Sequence, residues 1–217
     1  MTRSCPPHDL LMTYAAGTAS EGAGLVVATH LALCPCCRAQ VNEMEQMGGA
    51  LLERACGEQP VSQTCREKVM AMLDETTPPP SAITPTETSL CRVLPAPLRN
   101  YVGCGLSKIS WKKLTGAIDR IVLKECHEGR AQLMRIKAGS RMPEHGHTGP
   151  EYTLVLQGAY RDQGQLYRRG DVSCCSASTI HQPTAEATED CICLVVTEGK
   201  TKPTGLLQRL ACMVTGF

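Results

Sequence analysis

A Pro- and Thr-rich segment divides the chain into two parts with different hydrophobic patterns. Residues 76–89 read Thr-Thr-Pro-Pro-Pro-Ser-Ala-Ile-Thr-Pro-Thr-Glu-Thr-Ser, a composition that favours an extended linker. Apolar residues recur at helical spacing before it, whereas short apolar or alternating runs follow it. We therefore predict a multidomain α-plus-β protein with a small helical domain over residues 1–75, a linker over 76–97 and an all-β sandwich or barrel over 98–217. We expect each domain to have its own core.

The spacing of apolar residues in the first part of the chain predicts about four helices. Ser20 followed by Glu21 is typical of a helix start, and Pro35 fits the first turn of the next helix. A shorter helix is predicted near residues 61–73. The predicted strands of the second part lie at 116–123, 131–138, 152–156, 171–176 and 191–197.

Charge and composition exclude several function classes. The formal net charge of this 217-residue chain is +1, which argues against a nucleic-acid-binding protein. Residues 1–77 carry five basic and nine acidic side chains, a net charge of −4 that suits a basic protein partner. No apolar run approaches the roughly 20 residues needed to span a bilayer, and the first residues lack an apolar signal core. We predict a soluble, cytoplasmic protein without a membrane or nucleic-acid partner.

The first candidate metal site lies in the helical part. The chain has 14 cysteines, and thiols in a reducing compartment are often metal ligands, redox groups or small buried side chains. His30, Cys34 and Cys37 form an H-x3-C-x2-C pattern, which brings one imidazole and two thiolates to one side of a helix or a helix end. These soft donors suit tetrahedral Zn²⁺. Cys36 is rotated by roughly 200° from Cys34 on an ideal helix and should point away.

A structural zinc site needs a fourth ligand, and both Cys5 and His8 lie upstream. The H-x3-C-x2-C pattern, preceded by the Leu-Leu-x-x-Tyr-Ala-Ala-Gly segment at residues 10–17, resembles the zinc-binding anti-sigma domain. That family usually places a His about 25 residues before the His of the motif, and Cys5 occupies this position here. The resemblance implies a Cys3His zinc site with Cys5 as the fourth ligand, and His8 remains the alternative.

The second candidate metal site lies in the β part. Residues 139–158 follow the pattern G-x5-H-x-H-x3-E-x6-G, in which His145 and His147 point the same way along an extended strand. Glu151 can return to the same point across a Gly-Pro turn, and His181 is the candidate fourth ligand from a paired strand. This donor set suits zinc, iron, manganese or nickel.

The second pattern resembles the first cupin motif over its full length. The resemblance implies a double-stranded β-helix, or jelly-roll barrel, with His145, His147, Glu151 and His181 around one metal ion. A zinc anti-sigma domain joined to a metal-bearing cupin resembles the ChrR-type anti-sigma factors over residues 5–73 and 98–212. This implies a transcription regulator that forms a heterodimer with an extracytoplasmic-function sigma factor. The cupin would sense singlet oxygen or a related oxidant, and the sigma factor would then be released.

Two other functions remain open from the sequence. A cupin metalloenzyme, such as a dioxygenase or isomerase with a helical zinc-binding appendage, would need an open coordination position for substrate. The strands show no evident substrate-binding pair of an Arg and an aromatic residue, which disfavours that hypothesis. A thiol redox switch with incidental metals would be unaffected by chelators.

Overall fold

The computed structural model describes residues 4–55, 57, 61–74, 93–102, 110–126 and 129–203. Within these ranges the helices are α1 (His8–Ala15), α2 (Glu21–Leu31), α3 (Pro35–Ala55), α4 (Gln63–Asp74) and α5 (Ala96–Val102). The strands are β1 (Lys112–Lys113), β2 (Ile118–Cys126), β3 (Gly129–Ile136), β4 (His145–His147), β5 (Glu151–Gln157), β6 (Ala159–Asp162), β7 (Gln165–Arg168), β8 (Val172–Cys175), β9 (Ile180–His181), β10 (Thr184–Ala185), β11 (Cys191–Glu198) and β12 (Thr201–Pro203).

The helix starts follow from the residues that cap them. The Ser20 hydroxyl accepts a hydrogen bond from the Ala23 amide at 3.1 Å, which satisfies one of the free donors at the start of α2. Pro35 opens α3, where its missing N–H costs nothing. Both helices begin where the sequence predicted.

The strands form one large and two small antiparallel sheets. The large sheet has the order β1-β2-β3-β11-β5-β8, and the small sheets have the orders β10-β6-β7 and β12-β4-β9. The register of β4 with β9 places His145 opposite His181, although they are 36 residues apart in the chain. An α-plus-β fold with an all-β cupin part is therefore confirmed.

The large sheet is buried on both faces. One face contributes Met134, Val155 and Val195 to a core that also contains Tyr160 of β6 and Ala185 of β10. The opposite face is covered by helices α2 and α5 and by the residues that precede α5. The members of this second core include Leu25, Val26, Leu94, Leu98, Leu133, Leu154, Leu194 and Val196. Burial on both faces explains why β11 is apolar at nearly every position.

A third core joins α1, α2 and α3. It is formed by Leu10, Leu11, Ala23, Val27, Leu31, Cys34, Cys37 and Val41. Tyr152 of β5 packs against this cluster from the cupin side. The opposite sides of α2 thus belong to different cores, since Val27 packs among helices while Val26 packs on the sheet.

The expectation that each domain has its own core is wrong for α2. The helix approaches the sheet so closely that a Cβ added at Gly22 would lie 2.6 Å from the Val196 Cγ1 atom. Leu94 is buried in the shared core, although the sequence assigned it to the linker over residues 76–97. The apolar pattern of α2 does not reveal which side faces the sheet, so the sequence could not predict this contact. The Pro- and Thr-rich part of that linker and residues 204–217 lie outside the described residues.

Candidate metal centres

Four side chains converge at the end of α2 and the start of α3, and we call them the N-terminal centre. One candidate ligand atom from each of Cys5, His30, Cys34 and Cys37 lies within 4.8 Å of all the others. The Cys5 and Cys34 sulfurs are 4.0 Å apart. His30, Cys34 and Cys37 are buried and Cys5 is half-buried. Three sulfurs and one imidazole at this spacing match a tetrahedral metal site.

The ring of His30 is oriented by a backbone carbonyl of the cupin. Its Nδ1 lies 2.9 Å from the Gly170 oxygen. A carbonyl oxygen only accepts, so the Nδ1–H donates and Nε2 carries the lone pair of the neutral ring. This is the arrangement that fixes the tautomer of a metal-binding histidine.

The thiols of the N-terminal centre favour a bound cation. Burial is the main cause that raises the pKa values of the Cys5 and Cys37 thiols above their usual range. A raised pKa means that the thiolates are not formed readily without a compensating positive charge. A divalent metal ion supplies that charge and binds the thiolate directly.

Cys36 and the alternative ligand His8 both lie outside this cluster. Cys36 is exposed, as its rotation on the helix predicted. His8 opens α1 with an exposed side chain, and the cluster of candidate ligands contains Cys5 in its place. The geometry therefore favours Cys5 over His8 as the fourth ligand.

A second group of donors meets inside the cupin, and we call it the cupin centre. It consists of His145 and His147 of β4, Glu151 of β5 and His181 of β9. The Nε2 atom of His181 lies 3.1 Å from that of His147 and 3.2 Å from that of His145. The Glu151 carboxylate oxygens lie 3.6 Å from His147 Nε2 and 3.7 Å from His181 Nε2. Donors bound at about 2.1 Å to one ion are separated by roughly 3.0–3.4 Å, which these spacings approach.

Hydrogen bonds behind the ligands hold their orientation. The Nδ1 of His145 donates to the Pro143 oxygen at 2.8 Å. The Nδ1 of His181 lies 2.7 Å from the Asp162 carboxylate, and Thr197 donates to Glu151 at 3.3 Å. Because Nδ1 of His145 and of His181 is used in this way, the Nε2 atoms of these two rings are directed at the common point.

The pKa shifts of the cupin centre are compatible with a bound cation. Burial lowers the pKa of His147 to about 4 and raises the pKa of Glu151 to about 7. Burial lowers the pKa of His181 too, but the hydrogen bonds to Asp162 and Cys175 and the nearby charge of Glu151 together outweigh burial and raise the pKa to about 10. Glu151 is thus a buried carboxyl group whose ionised form a metal ion would stabilise.

A small cavity adjoins the cupin centre. Its volume is about 40 Å³, and His145, Glu151 and His181 form part of its wall. The rest of the wall includes Met134, Met142, Tyr160, Cys193 and Val195. This space admits a few water molecules or a small oxidant and is far below the roughly 300 Å³ of a typical organic-ligand pocket.

Comparison with known proteins identifies the family. Residues 100–201 match the ChrR cupin-like domain. The chain is 40% identical over 203 residues to the anti-sigma-E factor ChrR of Cereibacter sphaeroides, which covers 93% of this chain and 92% of that protein. The chain belongs to the ChrR family of anti-sigma factors. Members of this family are regulators rather than enzymes.

A solved structure extends the similarity to the fold. ChrR in the crystal structure of Rhodobacter sphaeroides SigE in complex with the anti-sigma ChrR matches with a TM-score of 0.76 and 39% identity. The match covers 90% of this chain and 99% of that chain, so it includes both the helical part and the cupin.

The N-terminal centre predicts a sharp difference among three neighbouring cysteines. Cys34→Ala or Cys37→Ala should lower the metal content of the purified chain by about one ion per chain, because each removes one of the four ligands. Binding of a structural zinc ion contributes on the order of 10 kcal/mol to folding of a small metal domain. Cys36→Ala is the matched control and should keep the full metal content, since its side chain is exposed. Elemental analysis after dialysis measures the content.

The same measurement separates the upstream ligands. Cys5→Ala should lower the metal affinity more than His8→Ala does. Equal losses from Cys34→Ala, Cys36→Ala and Cys37→Ala would contradict the ligand assignment.

Proposed function

We propose that this protein is an anti-sigma factor that sequesters an extracytoplasmic-function sigma factor in a heterodimer through its N-terminal helices. The observation that carries the proposal is the 40% identity to ChrR over nearly the whole chain. The similar chain of known structure is in complex with SigE, which supports the same class of partner here.

An exposed apolar surface on α3 and α4 supports a protein partner at this end of the molecule. Buried residues of α3 are confined to its first turns, at Cys37 and Val41, and α4 buries none of the side chains described. We use the name α3–α4 surface for the exposed apolar side chains of these two helices, each more than half exposed: Met47, Leu51, Leu52, Val69, Met70, Met72 and Leu73. An apolar surface of this kind is typical of an interaction site. We assign it to the sigma factor.

We propose Zn²⁺ for the N-terminal centre, because three thiolates and one imidazole select soft tetrahedral ions. For the cupin centre, with His145, His147, Glu151 and His181, we propose Zn²⁺ as well; Fe²⁺, Mn²⁺ and Ni²⁺ suit the same donors. The domain limits 1–75, 76–97 and 98–217 stay a prediction. The fold adds that α2 packs on the cupin sheet as well as among the helices.

We propose that the cupin is the sensor of oxidative stress of the singlet-oxygen type. The cavity beside the cupin centre is lined by Met134, Met142 and Cys193, residue types whose sulfurs small oxidants modify. Its volume of about 40 Å³ suits such an oxidant better than the substrate of a cupin dioxygenase or isomerase. An altered cupin must then favour a state with a weaker hold on the sigma factor.

The proposed location is the cytoplasm, where a sigma factor is available. In the part of the chain that the structure describes, the helices lack the combination of length and apolarity that membrane crossing requires.

The α3–α4 surface predicts a variant that folds but does not bind. Leu51→Glu should weaken binding of an extracytoplasmic-function sigma factor from the same organism by about tenfold or more, because burial of one Leu contributes about 1.5–3 kcal/mol. Its thermal midpoint should stay unchanged, since Leu51 is 61% exposed in the free chain. Calorimetric titration and inhibition of transcription in vitro measure the two effects.

Val122→Glu is the control, because Val122 is an exposed apolar residue on β2 of the cupin. It should bind the sigma factor as the unmodified chain does. If Leu51→Glu binds with full affinity, the assigned surface is wrong. If the unmodified chain inhibits none of the organism's sigma factors of this class, the proposed function is wrong.

The cupin centre predicts loss of response without loss of inhibition. His147→Ala or Glu151→Ala should still repress the sigma factor, because neither residue belongs to α3, to α4 or to the N-terminal centre. Neither variant should release the sigma factor on exposure to singlet oxygen. Glu189→Ala, which replaces an exposed cupin glutamate, should release it normally. Normal release by His147→Ala would contradict the sensor role of the cupin metal.

A further inference from the structure

A turn of the cupin contacts His30 of the N-terminal centre and Ser4, the residue that directly precedes Cys5. In the turn between β7 and β8, the Gly170 oxygen accepts the hydrogen bond of His30 at 2.9 Å. In the same turn, the Asp171 Oδ1 atom accepts a hydrogen bond from the amide of Ser4 at 3.1 Å. Ser4 directly precedes Cys5, so both an imidazole and a thiol of the centre are positioned from the cupin.

The turn is rigidly built onto the large sheet. The Asp171 Oδ2 atom accepts from the Arg168 amide at 2.8 Å, which closes the turn. The Gly170 amide donates to the Val155 oxygen at 2.8 Å, and the Val155 amide donates to the Asp171 oxygen at 3.1 Å. Gly170 has a φ of 89°, a left-handed conformation that favours glycine and sets the direction of the turn. The position of the turn is therefore fixed by β5.

The segment before Cys5 is bound to this turn by further contacts. The Val172 amide donates to the Ser4 oxygen at 2.8 Å, which continues the backbone pairing at the edge of the large sheet. The Gln165 side chain donates to the Ser4 hydroxyl at 2.6 Å. Ser4 therefore makes one contact to β7 and two to the start of β8 and its turn.

The same short strand also reaches the cupin centre. Strand β8 ends at Cys175, which is paired in register with the metal-ligand candidate Glu151. The Cys175 sulfur lies 3.7 Å from the Nδ1 atom of His181. Four strand residues span only about 10–14 Å. Strand β8 thus begins beside one centre and ends beside the other.

We propose that Asp171 is a positioning residue of the N-terminal centre, and that the β7–β8 turn lets the cupin control how firmly this centre retains its metal. The proposal rests on the metal binding proposed above for Cys5, His30, Cys34 and Cys37. Its physical basis is that hydrogen bonds to the residues around a metal fix the ligand orientation and raise ligand basicity. Loss of such a partner typically lowers metal affinity by about 10–100-fold.

The β7–β8 turn would thereby couple the cupin centre to the helices that we assign to sigma-factor binding. A shift of β8 after oxidation at the cupin displaces the contacts of the turn with Ser4 and His30. The N-terminal centre joins the start of α1 to α2 and α3, so its loosening affects the helices that we assign to sigma-factor binding. Coupling of this kind requires that the turn bind one state of the helices better than the other.

The test uses the full-length chain loaded with Co²⁺, whose sulfur-to-cobalt absorption reports the N-terminal centre alone. Asp171→Ala should release the N-terminal cobalt to a chelator about 10–100-fold faster than the unmodified chain does. The cobalt of the cupin centre should be released at the unchanged rate. Asp171→Asn should restore part of the retention, because its amide oxygen still accepts one hydrogen bond.

Asp190→Ala is the matched control, since Asp190 also accepts a backbone hydrogen bond, from Ala138 at 3.0 Å, but makes none of the contacts to Ser4 or His30 described above. It should release cobalt like the unmodified chain. If Asp171→Ala does not fold, Ser4→Pro removes the same hydrogen bond from the N-terminal side and should give the same selective loss.

Two results would overturn the proposal: unchanged N-terminal release in the folded Asp171→Ala or Ser4→Pro variant, or equal acceleration at both centres. An unmodified chain without the sulfur-to-cobalt absorption would instead contradict the N-terminal metal centre itself, and with it this part of the proposed function.

Discussion

The packing of α2 between two cores is the constraint on which the rest of the structure depends. Val26 lies on the large sheet of the cupin while Val27 lies among the helices, so one helix belongs to both parts of the chain. His30 follows one turn later on the same helix and contacts the cupin carbonyl of Gly170. The N-terminal centre therefore lies at the boundary between the parts and does not sit within an isolated helical domain.

Both candidate centres concentrate buried groups that need a compensating charge. At the N-terminal centre these groups are the clustered thiols around Cys37, and burial raises the pKa of the Cys37 thiol. At the cupin centre the group is Glu151, whose pKa burial raises to about 7. A divalent ion at each centre would convert these unfavourable groups into ligands and stabilise the surrounding elements. Metal binding at the two centres would therefore be linked to folding at both ends of β8.

The local sequence patterns predicted which ligands lie close together along the chain. They did not predict the contacts between distant segments. Helical spacing is enough to predict that His30, Cys34 and Cys37 lie near one another. Strand spacing is enough to predict that His145 and His147 point to the same side. The structure brings these donors together, although their metal binding stays a prediction. The roles of Gly170 and Asp171 had no sequence signal, because a carbonyl and a turn aspartate at the N-terminal centre are placed by the sheet register. The shared core was missed for the same reason.

X-ray absorption at the metal edge of the full-length chain tests the central claim most directly, namely that one chain holds two chemically different centres. The account predicts two ions per chain, one bound by about three sulfurs and one nitrogen, and one bound by nitrogen and oxygen alone. Cys34→Ala should remove the sulfur contribution and leave the nitrogen and oxygen site intact. A single ion per chain, or a coordination shell without sulfur in the unmodified protein, would contradict the account.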